Sequence, residues 1–299
     1  MEEFKEYIRY KALVEEHILN FLPEVDHKSG ILCDAMRYSL VSGGKRIRPV
    51  LLLAACDFAG GELNQAIPYA CAIEYIHTYS MIHDDLPAMD DDDLRHGVPT
   101  SHQVFGEGIA ILAGDGLLTS AFEIMNKDML IYFDDPARLK CRVRASFEIS
   151  KYAGCRGMVA GQTADLEAEH KSISGGLLDY IHLNKTAALI VAAVKAGAHI
   201  GGAPPEIVNR LENYAENLGL AFQITDDILD VTGDEKETGK KTGSDKNHEK
   251  PTYPALFGME DSQKRLNELT DNALKIIEPY YDNAEFFVRM AKSLVKRTK

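Results

Sequence analysis

The sequence predicts an all-α protein, a single large helical bundle spanning residues 1–299 around a central cavity. Strand signals are scarce, because no stretch alternates apolar and polar residues convincingly over six positions. Long windows rich in Ala, Leu, Glu and Ile carry the helical period instead, and short segments rich in Gly, Pro and Asp separate them. Roughly ten helices result, and neither a domain linker nor a repeat of fixed period is evident.

The predicted helix boundaries follow clusters of turn-forming residues. Gly, Pro and Asp disfavour the interior of a helix, so their clusters mark where one helix ends and the next begins. These candidate breaks lie at residues 22–30, 60–61, 84–89, 132–138, 172–176, 201–205 and 233–250.

In two of the predicted helices, one face changes from apolar to acidic. Side chains spaced by four residues share a helix face. In the first helix this spacing runs from Ala72 through Ile76 to Asp84, and in the second an apolar stripe leads to Asp226 and Asp230. Two such helices facing each other would build a cavity that is apolar at its base and anionic at its mouth.

The acidic stretch itself predicts a bound cation. Six of the ten residues from Asp84 to Asp93 are aspartates, and clustered carboxylates without His or Cys ligands favour Mg²⁺ over Zn²⁺. Because Mg²⁺ binds through a few carboxylates together with substrate phosphates, basic residues are expected nearby. The candidates are the motif GGKRIRP (43–49), Arg95, Lys185 and Lys240.

Composition narrows the possible partners and the compartment. A formal net charge of −13 argues against binding to nucleic acid or anionic lipid. The five cysteines form no CxxC pair, which is typical of reduced thiols in the cytoplasm. Residues 1–11 are charged throughout, and the longest apolar runs are too short to span a bilayer. We therefore expect a cytoplasmic protein without a membrane anchor.

Six motifs give the chain a family resemblance. They are GGKRIRP (43–49), IHTYSMIHDDLPAMDDDDLRHG (76–97), GQTADLE (161–167), NKTAAL (184–189), FQITDDILDVTGD (222–234) and KPTYP (250–254). With these motifs in this order, the chain resembles the short-chain trans-polyprenyl diphosphate synthases, and most closely the bacterial farnesyl type. The resemblance covers about residue 25 to the C-terminus and implies the isoprenoid synthase fold and a homodimer.

The resemblance also implies a reaction. Members of this family ionise an allylic diphosphate, such as dimethylallyl or geranyl diphosphate, with the help of Mg²⁺. The double bond of isopentenyl diphosphate attacks the allylic cation, and loss of a proton completes a chain that is five carbons longer. For this chain the implied enzyme is a prenyltransferase whose product is (E,E)-farnesyl diphosphate. Metal ions would neutralise the leaving group, and an apolar cavity would keep water from the cation.

The resemblance assigns a role to each matching residue. The expected metal ligands are Asp84, Asp90 and Asp226, for three Mg²⁺ ions that Mn²⁺ can replace. The other aspartates of the two motifs are Asp85, Asp227 and Asp230. The expected catalytic residues are Asp84, Asp85, Asp90, Arg95, Lys185, Asp226 and Lys240. The residues expected to bind the allylic diphosphate are Arg95, Lys185 and Lys240. Those expected to bind isopentenyl diphosphate are Lys45, Arg48, His77 and His96. Thr186 and Gln223 are further expected substrate contacts, and Gln162 and Asp165 are expected to line the cavity.

His96 departs from the family pattern. The family commonly reads DDLRRG, whereas this chain reads DDLRHG, so an imidazole stands where an arginine ordinarily helps to bind isopentenyl diphosphate. An imidazole is shorter, lacks the guanidinium fork and is mostly neutral at pH 7. We expect weaker binding of isopentenyl diphosphate than an arginine would give.

Tyr79 and Ser80 are the expected determinants of product length. They precede Asp84 by five and four residues, which places them about 6–7.5 Å deeper along the helix. An aromatic floor at Tyr79, together with the two-residue insertion within LPAM (86–89), resembles the farnesyl type and implies a C15 product.

Other functions stay open at this point. A geranyl or geranylgeranyl diphosphate synthase is the nearest alternative, and a non-catalytic partner subunit of a prenyl synthase belongs to a different class. Such partner subunits tend to lose one aspartate motif, and both motifs are present here. A terpene cyclase would have no use for the Lys45 and Arg48 site. A metal phosphohydrolase is compatible with the acidic clusters alone.

Overall fold

The computed structural model describes residues 4–23, 27–232, 251–280 and 283–295, which are predominantly helical. The first helices are α1 (Lys5–His17), α2 (Gly30–Val41), α3 (Ile47–Phe58), α4 (Leu63–Asp84), α5 (Ser101–Phe105), α6 (Glu107–Ile131) and α7 (Pro136–Ala153). They are followed by α8 (Met158–Ala168), α9 (Gly175–Ile181), α10 (Ala188–Ile200), α11 (Pro205–Thr232), α12 (Tyr253–Phe257), α13 (Met259–Ile277) and α14 (Glu285–Val295). Short 3₁₀ segments lie at Ile18–Phe21, His27–Ser29 and Glu278–Tyr280, and one π-helical segment lies at His182–Ala187.

The bundle is organised around α10. Its sequence ALIVAAVKAGAHI is apolar on every side, as expected for a helix surrounded by other helices. It packs against α3, α4, α7 and α11, and every one of its residues except His199 is buried. Burying each of its larger aliphatic side chains contributes about 1.5–3 kcal/mol. This central helix fixes the positions of α4 and α11, the two helices that carry the acidic motifs.

The two ends of the described chain pack onto one core. A single cluster of buried apolar residues extends from Phe4 to Leu294. The rings of Phe4, the residue before α1, and Phe286 in α14 meet edge to face with their centroids 5.5 Å apart. The N-terminal helix therefore belongs to the packed bundle, close to the loop that leads into α3.

The all-α prediction is confirmed, with one addition. The candidate breaks outside residues 233–250 fall at or beside helix ends, and the break at 233–250 lies outside the described residues. A two-residue antiparallel pair joins β1 (Leu94–Arg95) to β2 (Val98–Pro99). The connecting residues His96 and Gly97 have φ values of 52° and 80°, as a type I′ hairpin requires. So short a pair leaves no alternating pattern in the sequence.

Among the residues that the structure describes, two helical stretches are long and apolar enough to cross a membrane by length and composition. They are Glu107–Ile131 and Gly175–Ile200, and 44% and 61% of their most apolar windows are buried inside the bundle. The core helix of a globular protein meets the same criterion, so the observation is weak support for a membrane span. Neither stretch is a continuous apolar run in the sequence, because both contain polar residues.

Candidate active site

The first acidic motif lies at the C-terminal end of α4. Ile76 is fully buried and Asp84, the last residue of the helix, is half-buried, so the predicted change from apolar to acidic is present. The following loop folds back, because the backbone N–H of Asp90 donates to the Asp84 carbonyl at 2.8 Å. This hydrogen bond brings Asp90 beside Asp84 although five residues separate them along the chain. Both carboxylates therefore flank the mouth of the same helix end.

Arg95 connects the hairpin to the first acidic motif. Its Nε donates to Asp85 Oδ1 at 3.0 Å, its Nη2 donates to the same oxygen, and Nη2 also reaches Asp92 Oδ2 at 3.0 Å. Burial lowers the pKa of Arg95, but the hydrogen bond and charge of Asp85 outweigh burial and leave the pKa raised. Asp85 is 4% exposed. It is thus positioned to hold Arg95 in place, whereas Asp84 is half-buried.

The second acidic motif lies in the last turns of α11, where neighbouring carboxylates have different surroundings. Asp227 is buried and accepts hydrogen bonds from the Tyr253 backbone N–H at 2.9 Å and from Gln223 Nε2 at 3.1 Å. Asp226 and Asp230 are half-buried. Asp227 therefore anchors α11 to the start of α12, and Asp226, the expected metal ligand, is the more exposed of the adjacent pair.

His182 is a further neighbour of the Asp227 carboxylate. Its Nε2 lies 3.5 Å from Asp227 Oδ2, and its ring stacks on Tyr253 with centroids 5.5 Å apart. Tyr253 also donates its hydroxyl to Asp179. Burial lowers the pKa of His182 to about 4, although the charge of Asp165 opposes that shift. The imidazole is therefore neutral near pH 7.

Lys185 lies in the π-helical segment between α9 and α10. A Cβ at Gly161 of α8 would lie 2.0 Å from the Lys185 backbone N, so only glycine allows these segments to approach so closely. Lys185 Nζ donates to Asp165 Oδ2 at 2.6 Å. Burial lowers the pKa of Lys185, but the charges of Asp165, Asp84 and Asp90 outweigh burial and leave it raised. The lysine thus faces the first acidic motif from the opposite side of the site.

Thr186 and Gln223 form a hydrogen-bonded link across the bundle. Thr186 Oγ1 donates to Gln223 Oε1 at 2.7 Å, and Gln223 in turn donates to Asp227. These two expected substrate contacts therefore connect the π-helical segment to α11. Gln162, next to Gly161, has a buried Nε2 without a hydrogen-bond partner among the described residues.

A second cationic cluster surrounds His77 on α4. Arg48 Nη1 lies 3.2 Å from His77 Nε2. Burial lowers the pKa of His77 well below its ordinary value, and the positive charges of Arg48, Arg46 and Arg95 lower it further. His77 is therefore neutral near pH 7, in a cluster dominated by fixed positive charge.

The cluster around His77 contains a buried donor that an anionic ligand would satisfy. Arg48 Nε is buried and has no hydrogen-bond partner in the part of the chain that the structure describes. A buried donor without a partner is costly, and an anion would satisfy it. His96 also faces this loop, because its Nε2 lies 3.6 Å from the position that a Cβ on Gly44 would take.

Tyr79 and Ser80 lie in the last turns of α4, below the first acidic motif. Tyr79 is 8% exposed, and its ring meets His83 edge to face at a centroid distance of 5.7 Å. Burial raises the pKa of Tyr79 to about 12, and the charge of Asp84 adds to that shift. Ser80 Oγ donates to the His77 carbonyl at 2.8 Å. The tyrosine is thus within electrostatic reach of the acidic mouth.

The donor set around the acidic motifs fits Mg²⁺ bound together with phosphate. Within the described ranges, no group of three or more His, Cys, Asp or Glu side chains could by itself hold a metal ion. The two motifs supply only carboxylate oxygens, the donors that Mg²⁺ prefers. Mg²⁺ completes its octahedral shell with water and substrate phosphate, so a site without a closed protein cage suits it. Lys240, an expected ligand of the allylic diphosphate, lies outside the described residues.

Several residues at this site were not assigned from the sequence. Arg46 is buried and paired with Glu74 of α4, so it supports its neighbours Lys45 and Arg48. His182 and Tyr253 hold Asp227, as described above. Arg46 lies in the motif GGKRIRP and Tyr253 in the motif KPTYP, which is the one sequence signal that could have identified them. Their partners are distant in the sequence.

Comparison with known proteins identifies what this chain is similar to. Residues 29–281 match the family model described as polyprenyl synthetase. A farnesyl diphosphate synthase of Geobacillus stearothermophilus is 51% identical over 256 residues, which are 86% of this chain and 84% of that protein. A geranylgeranyl diphosphate synthase of Cyanophora paradoxa is 44% identical over 289 residues, 96% of this chain and 94% of that protein. The crystal structure of a geranyltransferase from Legionella pneumophila superposes with a TM-score of 0.83 at 31% identity, covering 98% of this chain and 96% of that one.

Proposed function

This chain belongs to the polyprenyl synthetase family, and on that premise we propose that it elongates an allylic diphosphate with isopentenyl diphosphate. The preferred product is (E,E)-farnesyl diphosphate, made from dimethylallyl and then geranyl diphosphate. The observation that carries the proposal is the arrangement of two acidic helix ends with two separate cationic clusters. One cluster, Arg95 and Lys185, adjoins the carboxylates; the other, Arg48 and His77, lies beside the loop at Lys45.

The allylic diphosphate is assigned to the first cluster. The pKa of Arg95 is raised chiefly by Asp85, and the pKa of Lys185 is raised chiefly by Asp165, with Asp84 and Asp90 adding to it, so both cations are protonated when a diphosphate arrives. Asp84, Asp90 and Asp226 would hold Mg²⁺, which supplies Lewis-acid neutralisation of the leaving diphosphate when bound. Lys240 is expected to add a further contact. Charge neutralisation by fixed groups is the main contribution that a protein makes to such an ionisation.

Isopentenyl diphosphate is assigned to the second cluster. Lys45 and Arg48 carry the positive charge, while the neutral His77 can donate or accept a hydrogen bond without adding charge. In the reaction, the allylic C–O bond breaks and its electrons leave with pyrophosphate. The π electrons of isopentenyl diphosphate then form the new C–C bond, and loss of a proton creates the new double bond. Apolar residues of α4 below Asp84 keep water away from the cation.

The roles of the two acidic motifs can be tested by matched substitutions. Asp84→Asn and Asp226→Asn should each lower kcat by about 10²–10³-fold, because each removes charge that holds the metal and leaving group. Asp91→Asn is the control, since Asp91 is exposed and has a positive φ that Asn tolerates. The measurement is incorporation of labelled isopentenyl diphosphate at saturating substrates. Turnover within threefold of the unsubstituted protein for either variant would contradict the assignment.

The geranylgeranyl product is the second candidate, because curated relatives carry both names. What favours the C15 product is Tyr79, a buried aromatic ring below Asp84. A growing tail that points down α4 would meet this ring about one and a half turns below the carboxylates. A smaller side chain at position 79 would leave room for one more isoprene unit.

A homodimer is part of the proposal. Apolar side chains are exposed along α6 and α7, where they resemble the uncovered half of an interface. Leu112 and Leu130 are 18 residues apart, so they share one side of α6. This exposed set is Leu112, Leu130, Ile131, Val143 and Phe147. Light scattering should give a mass about twice 33.1 kDa, and Phe147→Glu should shift the population towards monomer. A monomer at micromolar concentration would contradict this part of the proposal.

A further inference from the structure

The loop between α2 and α3 has a backbone that requires external support. It carries Lys45 and leads into Arg48, the two cations assigned to isopentenyl diphosphate. Gly43 and Gly44 have φ values of 98° and 118°, and Arg46 has a left-handed φ of 53°. This conformation destabilises a non-glycine residue by about 1 kcal/mol or more. The residue keeps it only where surrounding contacts hold it in place.

The side chain of Arg46 supplies part of that support. Its Nε donates to Glu15 Oε1 at 2.8 Å and its Nη1 donates to Glu74 Oε1 at 2.8 Å. Its Nη2 donates to the Leu40 carbonyl. The guanidinium is thus anchored to α1, α4 and α2, and only 3% of the side chain is exposed. The hydrogen bonds of the Arg46 guanidinium therefore hold the loop in place.

Helix α1 also holds the loop at Lys45. The hydroxyl of Tyr7, a fully buried residue, donates to the Lys45 carbonyl. Tyr7 and Glu15 lie about two turns apart on α1, so one helix contacts two consecutive loop residues. The helix precedes the segment that the family model matches.

We propose that α1 is a positioning element of the isopentenyl diphosphate site. Tyr7 and Glu15 fix the backbone of the loop at Lys45 and Arg46, so that the Lys45 ammonium and the Arg48 guanidinium face the same diphosphate. The inference rests on the proposed function, since it takes this loop to be the isopentenyl diphosphate site. Neither Tyr7 nor Glu15 touches substrate in this account; each acts through the loop.

A purely structural role for α1 predicts something different. Its apolar residue Val14 belongs to the core, as does Phe4 just before the helix, and Tyr10 donates to Asp57 Oδ2 of α3 at 2.5 Å. Contacts of that kind stabilise the fold without preference for one substrate. A positioning role instead predicts a selective loss in the binding of isopentenyl diphosphate.

The experiment compares Tyr7→Phe with Tyr10→Phe. Both variants remove one hydroxyl from a buried tyrosine of α1, but only Tyr7 contacts the loop. Tyr7→Phe should raise the KM for isopentenyl diphosphate by about three- to tenfold and leave kcat and the KM for geranyl diphosphate within twofold. Tyr10→Phe should leave all three constants within twofold, although it lowers the melting temperature.

A second pair keeps the inference testable if Tyr7→Phe fails to fold. Glu15→Ala removes the partly exposed partner of Arg46, and Glu16→Ala removes its exposed neighbour on α1. The first should reproduce the selective rise in KM for isopentenyl diphosphate, and the second should not. The inference is overturned if both members of a pair behave alike, or if the KM values for both substrates rise together.

Calorimetry separates failure of this inference from failure of the proposed function. Isopentenyl diphosphate is titrated into the full chain without an allylic partner. Weaker binding to Tyr7→Phe than to Tyr10→Phe, by the same three- to tenfold factor, supports the inference even if no elongation is detected. Elongation by the unsubstituted protein together with equal affinities for the two variants refutes the inference and leaves the proposed function standing.

Discussion

Neighbouring aspartates in each acidic motif have different surroundings. Asp85 is buried against Arg95, and Asp227 is buried against the backbone N–H of Tyr253. Their neighbours Asp84 and Asp226 are half-buried at the mouth of the site. A carboxylate whose oxygens already accept hydrogen bonds inside the protein has fewer lone pairs left for a metal ion. In each pair, one aspartate is buried and anchored, and the more exposed one is the residue for which we propose metal binding.

His96 is suited to its turn and poorly suited to binding a diphosphate. Its positive φ is a conformation in which His is enriched among non-glycine residues. We expect His96→Arg to lower the KM for isopentenyl diphosphate about three- to tenfold, because a guanidinium adds a permanent charge and a bidentate donor. Steady-state kinetics at saturating geranyl diphosphate measures this, with His96→Gln as the neutral control. A KM that is unchanged or higher in the arginine variant would refute the expectation.

His182 should make stability depend on pH in the acid range. Its pKa in the folded protein is about 4, below the ordinary value of 6.5, because burial disfavours the imidazolium. The unfolded chain binds this proton more readily, so the stability contributed by neutral His182 is present above pH 6.5 and is lost as pH falls towards 4. The loss amounts to about 3 kcal/mol. Urea unfolding in EDTA at pH 7 and pH 4.5 should show a smaller decrease for His182→Gln; equal decreases would contradict the assignment.

The sequence predicted two acidic helix ends, but it carried no sign of the partners that anchor their residues. Asp84 and Asp226 were identified from their spacing against an apolar stripe, a pattern local to one helix. The anchoring of Arg46 by Glu15 and Glu74, and of Asp227 by Tyr253, joins residues that are 26 or more positions apart. Such pairs leave no local signal, because the helices that bring them together meet only in the packed bundle.

At the scale of elements, α4 combines several parts of the site. Its buried residues pack against α3, α6 and α10, and its last turns carry His77, Tyr79 and Asp84. One rigid helix therefore sets the distances among three residues with proposed roles: His77 for isopentenyl diphosphate, Tyr79 for the floor of the cavity and Asp84 for the metal. If these proposals hold, the rise of 1.5 Å per residue along α4 relates the position of Tyr79 to the length of the product.

Removing the ring of Tyr79 tests whether this side chain limits the length of the product. Tyr79→Ala should shift the main product from C15 to C20 or longer, because the truncated side chain opens space along the helix. Chromatography of the dephosphorylated products measures the chain length. Tyr75→Phe is a control one turn deeper, since it keeps an aromatic ring of nearly the same size. If C15 remains the main product of Tyr79→Ala, Tyr79 is not the floor.

Regular elements were predicted more successfully than irregular ones. The helices are recognisable in the sequence because their 3.6-residue period is sustained over several turns. The π-helical segment at His182–Ala187 does not, because its sequence HLNKTA continues a helical pattern. Its cause is tertiary: the close approach of Gly161 to the Lys185 backbone fixes the segment. The hairpin at His96 was also missed, since two-residue strands are too short to show alternation.

For the whole molecule, the bundle places two acidic helix ends and two cationic clusters around one site. The all-α fold was predictable because nearly every segment agrees with it locally. The exposed apolar side of α6 and α7 was not predictable, since exposure depends on which neighbours cover a helix. The likeness to farnesyl and geranylgeranyl diphosphate synthases leaves product length to the details of the site.

The most direct test of this account is a product assay. The full chain is incubated with Mg²⁺, labelled isopentenyl diphosphate and either dimethylallyl or geranyl diphosphate, and the dephosphorylated products are sized. We expect label in a C15 alcohol with either starter and no elongation when EDTA replaces Mg²⁺. Absence of elongation with both starters would contradict the central claim, and a main product of C20 would contradict the C15 assignment.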